Sequence, residues 1–201
     1  MTSYPATFDV SSPPRFERLQ LLLRLLILFL LALLGLRTGW IAMLVYVALP
    51  LVAALAIQST GVTVYLERTA PSIVRVIRWL LSFQAYMLFV VDRFPTGDET
   101  LVDFAVTTSG TPTPGGAVMR LLSSLPEALV LMILGCFGCI VSLLSGLAVL
   151  FTERVPRSFR SFQIGWLRWQ ARLLAYHASI VDVAPPYELT GQSGPTAATP
   201  R

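Results

Sequence analysis

The feature that most constrains the fold of this chain is an internal repeat. Short landmarks of the first half return in the same order in the second half, first 96, then 86 and later 90 positions on. A repeat of this length is one supersecondary unit used twice. The landmarks, with their counterparts in parentheses, are Phe8 (Phe104), Val10 (Val106), Arg24 (Arg120), Glu67-Arg68 (Glu153-Arg154), Arg78-Trp79 (Arg168-Trp169), Ala85-Tyr86 (Ala175-Tyr176), Val91-Asp92 (Val181-Asp182) and Pro95 (Pro185). The repeat predicts two tandem units, 1–96 and 97–185, followed by a disordered tail over 186–201.

Two long stretches of the first unit lack the charges that a soluble helix carries. Residues 19–36 contain Arg24 as their single charged residue, and residues 40–66 contain none. A stretch of about 20 apolar residues matches a hydrocarbon core of roughly 30 Å. Hydrophobic residues make up 55% of the chain, charged residues 13%, and the mean hydropathy is +0.70, which is outside the usual range of soluble domains. We therefore predict an all-α integral membrane protein.

The 15 basic residues are all arginines, and most of them flank the apolar segments. In such positions they are typical of topology signals and of contacts with anionic lipids. No glycine-rich phosphate loop or basic arm supports a nucleic-acid partner, so we expect none. If each unit is a hairpin followed by an interfacial helix, every arginine except Arg37 lies on the cytoplasmic side, as the positive-inside rule favours. The alternative has five spans, with both Arg-Trp helices crossing the membrane.

Each unit is predicted to begin with a short strand and to continue as a transmembrane helical hairpin. Residues 6–10 and 102–106 alternate between apolar and polar, which fits strands that could pair as a ribbon over the membrane face; irregular loops are the alternative. The first hairpin would turn at 36–39. In the second unit, the apolar run 121–151 would be about 46 Å long as one helix, so we expect a fold-back at 135–138, with a single kinked helix as the competing interpretation.

The last element of each unit is a helix that contains arginine and tryptophan. Over residues 157–182, aromatic and aliphatic side chains recur every three or four positions, with arginines opposite. This pattern predicts an amphipathic interfacial helix in the headgroup layer, and the more apolar copy over 73–91 is expected to sink deeper. The residues predicted to contact anionic lipid or an interface are Arg78, Trp79, Arg157, Arg160, Trp166, Arg168, Trp169 and Arg172.

Small residues recur at helical spacing in the third apolar run. Because small side chains let membrane helices approach closely, we expect this stripe to contact the hairpin of the other unit, with an oligomer interface as the alternative. Cys136 and Cys139 form a C-x-x-C pair, which can be a redox dithiol or half of a zinc site. His177 is the one further zinc ligand of the usual kind, so we predict no metal or cofactor and a packing role. The stripe consists of Gly135, Gly138, Ser142 and Gly146.

Four further polar residues are given structural roles. His177 is expected to be an ordinary interfacial histidine, because no carboxylate partner is evident. Glu127 follows a proline near a helix start, where a carboxylate suits the positive end of the helix. Arg24 and Arg120 are expected to snorkel to the headgroups from the first turns of their helices.

The second unit resembles a known family in several of these landmarks. The residues that carry the resemblance are Arg120, Leu125-Pro126, Leu150-Phe151-Thr152, Arg154, Pro156, Leu167-Arg168-Trp169, Arg172, Ala175-Tyr176, Asp182 and Pro185-Pro186. They are similar to the domain of unknown function family numbered 4389, which consists of small bacterial integral membrane proteins. Glu127 departs from the usual His and Glu153 from a common Gly, and the first unit matches more loosely. The resemblance covers most of residues 4–188. It implies a membrane location and a tandem arrangement, and it implies no activity.

The sequence as a whole favours a non-enzymatic protein of the bacterial cytoplasmic membrane with both termini inside. We expect an accessory or scaffold that organises anionic lipids, a partner membrane complex or a homo-oligomer. One alternative is a small transporter or channel, because internal repeats are common in transporters, although the apolar spans show no polar pathway. The other is a membrane thiol oxidoreductase that uses Cys136 and Cys139, although a second cysteine pair is missing.

Overall fold

The computed structural model describes residues 4–11, 13–34, 38–96 and 102–189, and this part of the chain is mainly helical. A two-stranded sheet accompanies the helices. The elements in chain order are β1 (Ala6–Val10), α1 (Arg18–Leu33), α2 (Thr38–Thr60), α3 (Val62–Val64), a π-helical turn (Tyr65–Thr69), α4 (Ala70–Met87), β2 (Val102–Val106), α5 (Pro114–Ser123), α6 (Leu125–Thr152) and α7 (Arg157–His177). The predicted turn of the first hairpin falls between α1 and α2, and part of it lies outside the described residues.

The two strands form the antiparallel ribbon that their alternation predicted. Phe8 lies opposite Phe104, its counterpart in the repeat. Both phenylalanines are buried, whereas Asp9 and Asp103 are exposed. The irregular-loop alternative is therefore wrong. Because equivalent residues face each other, a local two-fold axis through this pair exchanges the strands.

Helices α4 and α7 pack against each other at the centre of the core. β1 contacts α7 and β2 contacts α4, so each strand covers the Arg-Trp helix of the other half. The core residues that α4 and α7 contribute at equivalent positions are Ile77 and Leu167, Leu81 and Ala171, and Ala85 and Ala175. Although its sequence is amphipathic, α7 buries side chains on both faces, Leu173 on the apolar face and Arg172 on the arginine face. The other elements that contact α7 are α2, α5 and α6.

Helix α6 is continuous, so the predicted fold-back at 135–138 is wrong and the single-helix interpretation holds. A glycine inside a helix costs about 1 kcal/mol relative to alanine, which is too little to end a helix of this length. The break lies instead at Ser124, between α5 and α6. Pro126 follows in the first turn of α6, where its missing backbone donor is harmless.

Two helices of the described residues are long and apolar enough to cross a membrane. These candidate spans are Met43–Thr60 in α2 and Leu125–Thr152 in α6, with mean hydropathies of 1.9 and 2.5. α1 is also rich in leucine, but it has 16 residues, which is short for a span. The described part of the chain therefore contains two candidate spans, where four were predicted.

Candidate functional site

A buried arginine binds backbone carbonyls at the C-terminal end of α4. Arg24 is 2% exposed. Its Nε donates to the carbonyl of Tyr86 and its Nη2 donates to the carbonyl of Val91, both at 2.9 Å. Oδ1 of Asp92 lies 3.5 Å from the same Nη2. We call these four residues the first clasp.

The equivalent residues form a second clasp at the C-terminal end of α7. Nη1 of Arg120 donates to the carbonyls of Tyr176 and Val181 at 2.9 and 2.6 Å, and Nη2 pairs with the carboxylate of Asp182. All members of both clasps are landmarks of the repeat. The prediction that Arg24 and Arg120 snorkel to the headgroups is wrong, because both guanidinium groups turn inward to backbone carbonyls at and beyond the ends of α4 and α7.

The helix ends held by the clasps share an unusual backbone conformation. Phe89 after α4 and Ser179 after α7 have φ angles of 60° and 54°, in the left-handed region that favours glycine. In each case the next amide bonds back to the carbonyl five residues earlier, at 2.9 and 3.2 Å, as in a Schellman cap. The positive charge of each arginine also suits the negative end of the helix dipole.

Arg78 and Arg168 each bind the strand of the opposite half. Nη2 of Arg78 donates to the carbonyl of Phe104 at 2.8 Å, and Nε of Arg168 donates to the carbonyl of Phe8 at 3.2 Å. Both carbonyls point away from the partner strand, so the two arginines occupy edges that could otherwise pair with another chain. The contact of these arginines with lipid stays a prediction.

A buried polar network lies where α2, α7 and the α5–α6 junction meet. Oγ of Ser124 is 2.6 Å from Nε2 of His177 and 2.8 Å from the hydroxyl of Tyr46. The ring of Tyr46 packs edge-on against His177, with centroids 4.4 Å apart. Glu127 is buried in the first turn of α6 and accepts a hydrogen bond from the indole of Trp169. The histidine is thus enclosed by protein rather than placed at an interface.

The network joins helices and lacks the geometry of a nucleophilic site. Burial lowers the pKa of His177 to about 4, so its imidazole is neutral at pH 7. Its Nδ1 has no hydrogen-bond partner among the described residues, whereas a serine–histidine pair in hydrolases needs an orienting acceptor there. Oγ of Ser124 donates to the carbonyl of Arg120 at 2.6 Å, which fixes the turn between α5 and α6.

The small residues of α6 differ in what they contact. A Cβ atom at Gly135 would lie 3.2 Å from the ring of Trp166, and one at Gly146 would lie 3.2 Å from the ring of Phe89. A Cβ atom at Gly138 would meet nothing within 4 Å. The close contacts of α6 at these glycines are therefore with α7 and with the loop that follows α4.

The remaining residues of this segment divide between a packed and an exposed face. Oγ of Ser142 accepts a hydrogen bond from Nε2 of Gln163 in α7 at 3.1 Å. Cys136 and Cys139 are free and exposed, so they lie away from that contact. Among the described residues, no group of three or more His, Cys, Asp and Glu side chains is placed to hold a metal ion.

The residues predicted to contact lipid differ widely in exposure. Trp169 and Arg172 are 4% and 5% exposed and contact other parts of the protein, and their contact with lipid stays a prediction. Trp79, by contrast, is 43% exposed and stacks on Phe83 at 5.8 Å between ring centroids. The other members of the set are Arg157, which is exposed, and Trp166 and Arg160, which are half-buried.

Residues 186–189 pack on α7, although the sequence predicted the start of a disordered tail there. The ring of Tyr187 meets that of Trp169 edge-on, with centroids 5.6 Å apart. Leu189 lies so close to Gly165 that a Cβ atom on the glycine would be 2.7 Å from the leucine carbonyl. We call residues 185–189 the strap; the rest of the predicted tail lies outside the described residues.

Sequence reasoning missed two tyrosines that connect the halves, one half-buried and one buried. Tyr46 donates to the carbonyl of Leu121 at 3.1 Å, and Tyr65 donates to the carbonyl of Ala178. Burial raises the pKa of Tyr65 to about 12, so its hydroxyl stays a donor. The available signal was that both tyrosines lie in the uncharged stretch 40–66, where a polar group needs a partner.

One family model matches the chain, over residues 115–187, and its description is Domain of unknown function (DUF4389). The predicted resemblance is thereby confirmed for the segment from α5 to the strap. The single match does not include the first unit, so the tandem form of the resemblance stays a prediction. No curated protein and no solved structure matches the chain.

Proposed function

We propose that this chain is a multi-pass protein of the bacterial cytoplasmic membrane, in which α2 and α6 cross the hydrocarbon core. The observation that carries the proposal is the row of exposed apolar side chains along α6. Soluble monomers rarely expose contiguous apolar patches larger than a few hundred Å². The large apolar side chains that α6 exposes are Leu125, Leu129, Val130, Met132, Ile133, Phe137, Ile140, Leu143, Leu144, Leu147, Leu150 and Phe151.

The proposal includes two tandem units related by a local two-fold axis. Three pairs of equivalent contacts support this arrangement: the two clasps, the two left-handed helix caps, and the exchange in which Arg78 and Arg168 each bind the other unit's strand. The pairing of Phe8 with Phe104 supports an axis that passes through the ribbon. A duplicated unit whose strands are exchanged in this way forms one body rather than two independent domains.

Within that membrane setting, the proposed role is that of a non-enzymatic scaffold for anionic lipids or a partner membrane complex. The polar groups that could perform chemistry are bound to one another or to the backbone: Ser124 with His177, and Arg24 and Arg120 with carbonyls. Such contacts rigidify a surface that consists of apolar helix faces and arginines. A rigid surface of this kind suits acyl chains, headgroups or the helices of a partner.

A small transporter is the second candidate, and one residue favours it. Glu127 is a buried carboxylate inside the candidate span α6, bonded to the indole of Trp169. Ionisable residues within membrane spans frequently mark ion or proton pathways, although Glu127 lies in the first turn of this span. The two candidates therefore differ in whether Glu127 is needed for transport or for packing.

Membrane integration is tested by alkaline carbonate extraction together with cysteine labelling. In a background in which Cys136 and Cys139 are replaced by serine, single cysteines are placed at Ser11 and at Thr108. Gly110 is avoided, because a Cβ atom there would clash with a side chain of the second clasp. Since β1 pairs with β2, we expect a carbonate-resistant protein with both labels on the same side. Release by carbonate would contradict membrane integration, and labels on opposite sides would contradict the ribbon.

The scaffold and transporter roles are separated by two measurements on the full chain. Native mass spectrometry in mild detergent should find stoichiometric anionic lipid or a membrane protein partner, and the Glu127→Gln variant should retain it. Reconstituted wild-type protein should give no more proton flux than empty vesicles. A flux that is present in the wild type and abolished in Glu127→Gln would favour the transporter.

A further inference from the structure

Arg172 of α7 is a buried guanidinium that lacks the hydrogen bonds such a group requires. The residue is 5% exposed, and its Nε and Nη1 have no hydrogen-bond partner among the described residues. Arginine remains protonated in proteins and carries five donors. A buried charge is normally both paired and hydrogen-bonded. Arg172 therefore presents unused donors inside the fold.

The surroundings of Arg172 favour the binding of an anion beside its guanidinium group. Arg168 lies one helical turn earlier on the same face, and burial together with this second positive charge lowers the pKa of Arg172. The ring of Tyr4 lies 5.6 Å from the guanidinium carbon, and the tyrosine hydroxyl donates to the carbonyl of Val183 at 2.9 Å. Arg172 thus has a second arginine one turn away on its own helix and an aromatic ring beside its guanidinium group.

A carboxylate on the strap lies near Arg172 but does not form a close ion pair with it. Oε1 of Glu188 is 3.7 Å from Nη1 of Arg172, and the glutamate side chain is 51% exposed. The distance exceeds that of a charge-assisted hydrogen bond, which is about 2.7–2.9 Å. The strap itself contains no helix or strand and is held by the ring contact of Tyr187 and the close fit of Leu189 against Gly165.

We propose that Arg172 and Arg168 form a binding site for a phosphate group, and that Glu188 occupies this site until the ligand displaces the strap. A phosphate has more acceptor oxygens than a carboxylate and can accept from two adjacent guanidinium donors of Arg172, in the bidentate geometry that arginine favours. The inference deepens the proposed function and rests on it, because an anionic lipid headgroup is one source of this group. Free phosphate is the other source.

Among the described residues, Arg172 has no arginine counterpart in the first unit. The position equivalent to Arg172 in the first unit is Ser82, which is 6% exposed. Its hydroxyl donates to the carbonyl of Arg78 at 2.8 Å, so it leaves no unused donor. One ligand per chain is therefore expected, even though the surrounding clasps and caps occur twice.

The test uses the full chain purified in an uncharged detergent. Inorganic phosphate is titrated in one arm, and mixed micelles with phosphatidylglycerol or phosphatidylcholine in the other, with tryptophan fluorescence of Trp169 and its neighbours as the readout. Glu188→Gln should tighten binding at least about fivefold, because it removes the internal competitor. Arg172→Gln should weaken binding at least about tenfold, because it removes the bidentate donor. Arg154→Gln, which changes the same charge at an exposed position, is the matched control and should bind like the wild type.

Each outcome of this test decides the proposal. Tight binding of free phosphate identifies a soluble ligand, and binding of phosphatidylglycerol alone identifies the headgroup. Unchanged binding in Glu188→Gln would overturn the proposal, and so would equal weakening by Arg172→Gln and Arg154→Gln. If Arg172→Gln does not fold, Glu188→Gln decides alone. A protein that carbonate extracts from membranes would end the proposed membrane role and leave the phosphate titration as informative as before.

Discussion

Replacing Arg24 by methionine should be among the most destabilising single changes in this chain. Methionine fills a similar volume without donors, so the change leaves the carbonyls of Tyr86 and Val91 and the carboxylate of Asp92 without their partner. Removing one member of a buried ion pair costs about 3–5 kcal/mol. We expect that cost in the free energy of unfolding for both Arg24→Met and Arg120→Met.

The two clasps should differ in how far a second substitution restores stability. The side chain of Asp92 is 11% exposed and that of Asp182 is 36% exposed, so only the second orphaned carboxylate can be hydrated. Asp92→Asn should therefore return about 1–2 kcal/mol to Arg24→Met, by removing a desolvated charge. Asp182→Asn should return less than about 0.5 kcal/mol to Arg120→Met, because exposed charges interact weakly.

Thermal unfolding of the detergent-solubilised protein, followed by tryptophan fluorescence, measures both effects. The single and double variants of each clasp form a double-mutant cycle, which isolates the coupling between arginine and carboxylate. A loss below about 1 kcal/mol for Arg24→Met would refute the assignment of a buried ion pair, whose removal costs several times more. Equal rescue in both clasps would refute the argument from exposure.

Three further predictions use the same assay. Ser179→Gly should stabilise the protein by about 1 kcal/mol, because it relieves a left-handed backbone and removes a buried hydroxyl that has no partner among the described residues; a lower melting temperature would contradict this. Gly138→Ala should stabilise by about 0.5–1 kcal/mol through helix propensity, whereas Gly146→Ala should not, because its Cβ atom meets the ring of Phe89 at 3.2 Å. Burial lowers the pKa of His177 from 6.5 to about 4, so the unfolded chain binds more protons between these values. The contribution of His177 to stability should therefore fall by up to about 3 kcal/mol as the pH drops from about 6.5 to about 4, and the difference in stability between the wild type and His177→Gln measures it.

The ribbon and the clasps show which part of this fold local patterns can predict. Alternation over five residues identified both strands, and their equivalence in the repeat gave their pairing, because a repeated strand can pair with its own copy in register. The clasps were also visible, as landmarks that recur with fixed spacing. Their contacts were not visible, because an arginine at the start of an apolar helix satisfies the pattern for snorkelling as well as the pattern for a carbonyl ligand 62 residues away.

The errors concern α6 and α7 and have a common physical origin. Gly135 and Gly138 suggested a turn, but a glycine that makes room for a tryptophan has the same sequence signal as a glycine in a break. The arginine stripe of α7 suggested a solvent- or lipid-facing surface, but the ribbon and the strap contact its C-terminal part, at Arg168 and Arg172. In both cases the deciding contact comes from a segment distant in sequence, whose position no local pattern specifies.

The positions at which the two proposed units differ show where function should be sought. Equivalent residues that are retained, such as Arg24 and Arg120, hold the architecture and would be needed whatever the protein does. The counterpart of Arg172 is a serine. Buried donors of Arg172 have no hydrogen-bond partner among the described residues, and packing alone does not explain the free-energy cost of burying them. Trp169 is 4% exposed and donates a hydrogen bond to Glu127, whereas its counterpart Trp79 is 43% exposed. The second unit has thus enclosed a charged and an aromatic side chain beneath the strap, whereas the equivalent positions of the first unit hold a serine and an exposed tryptophan.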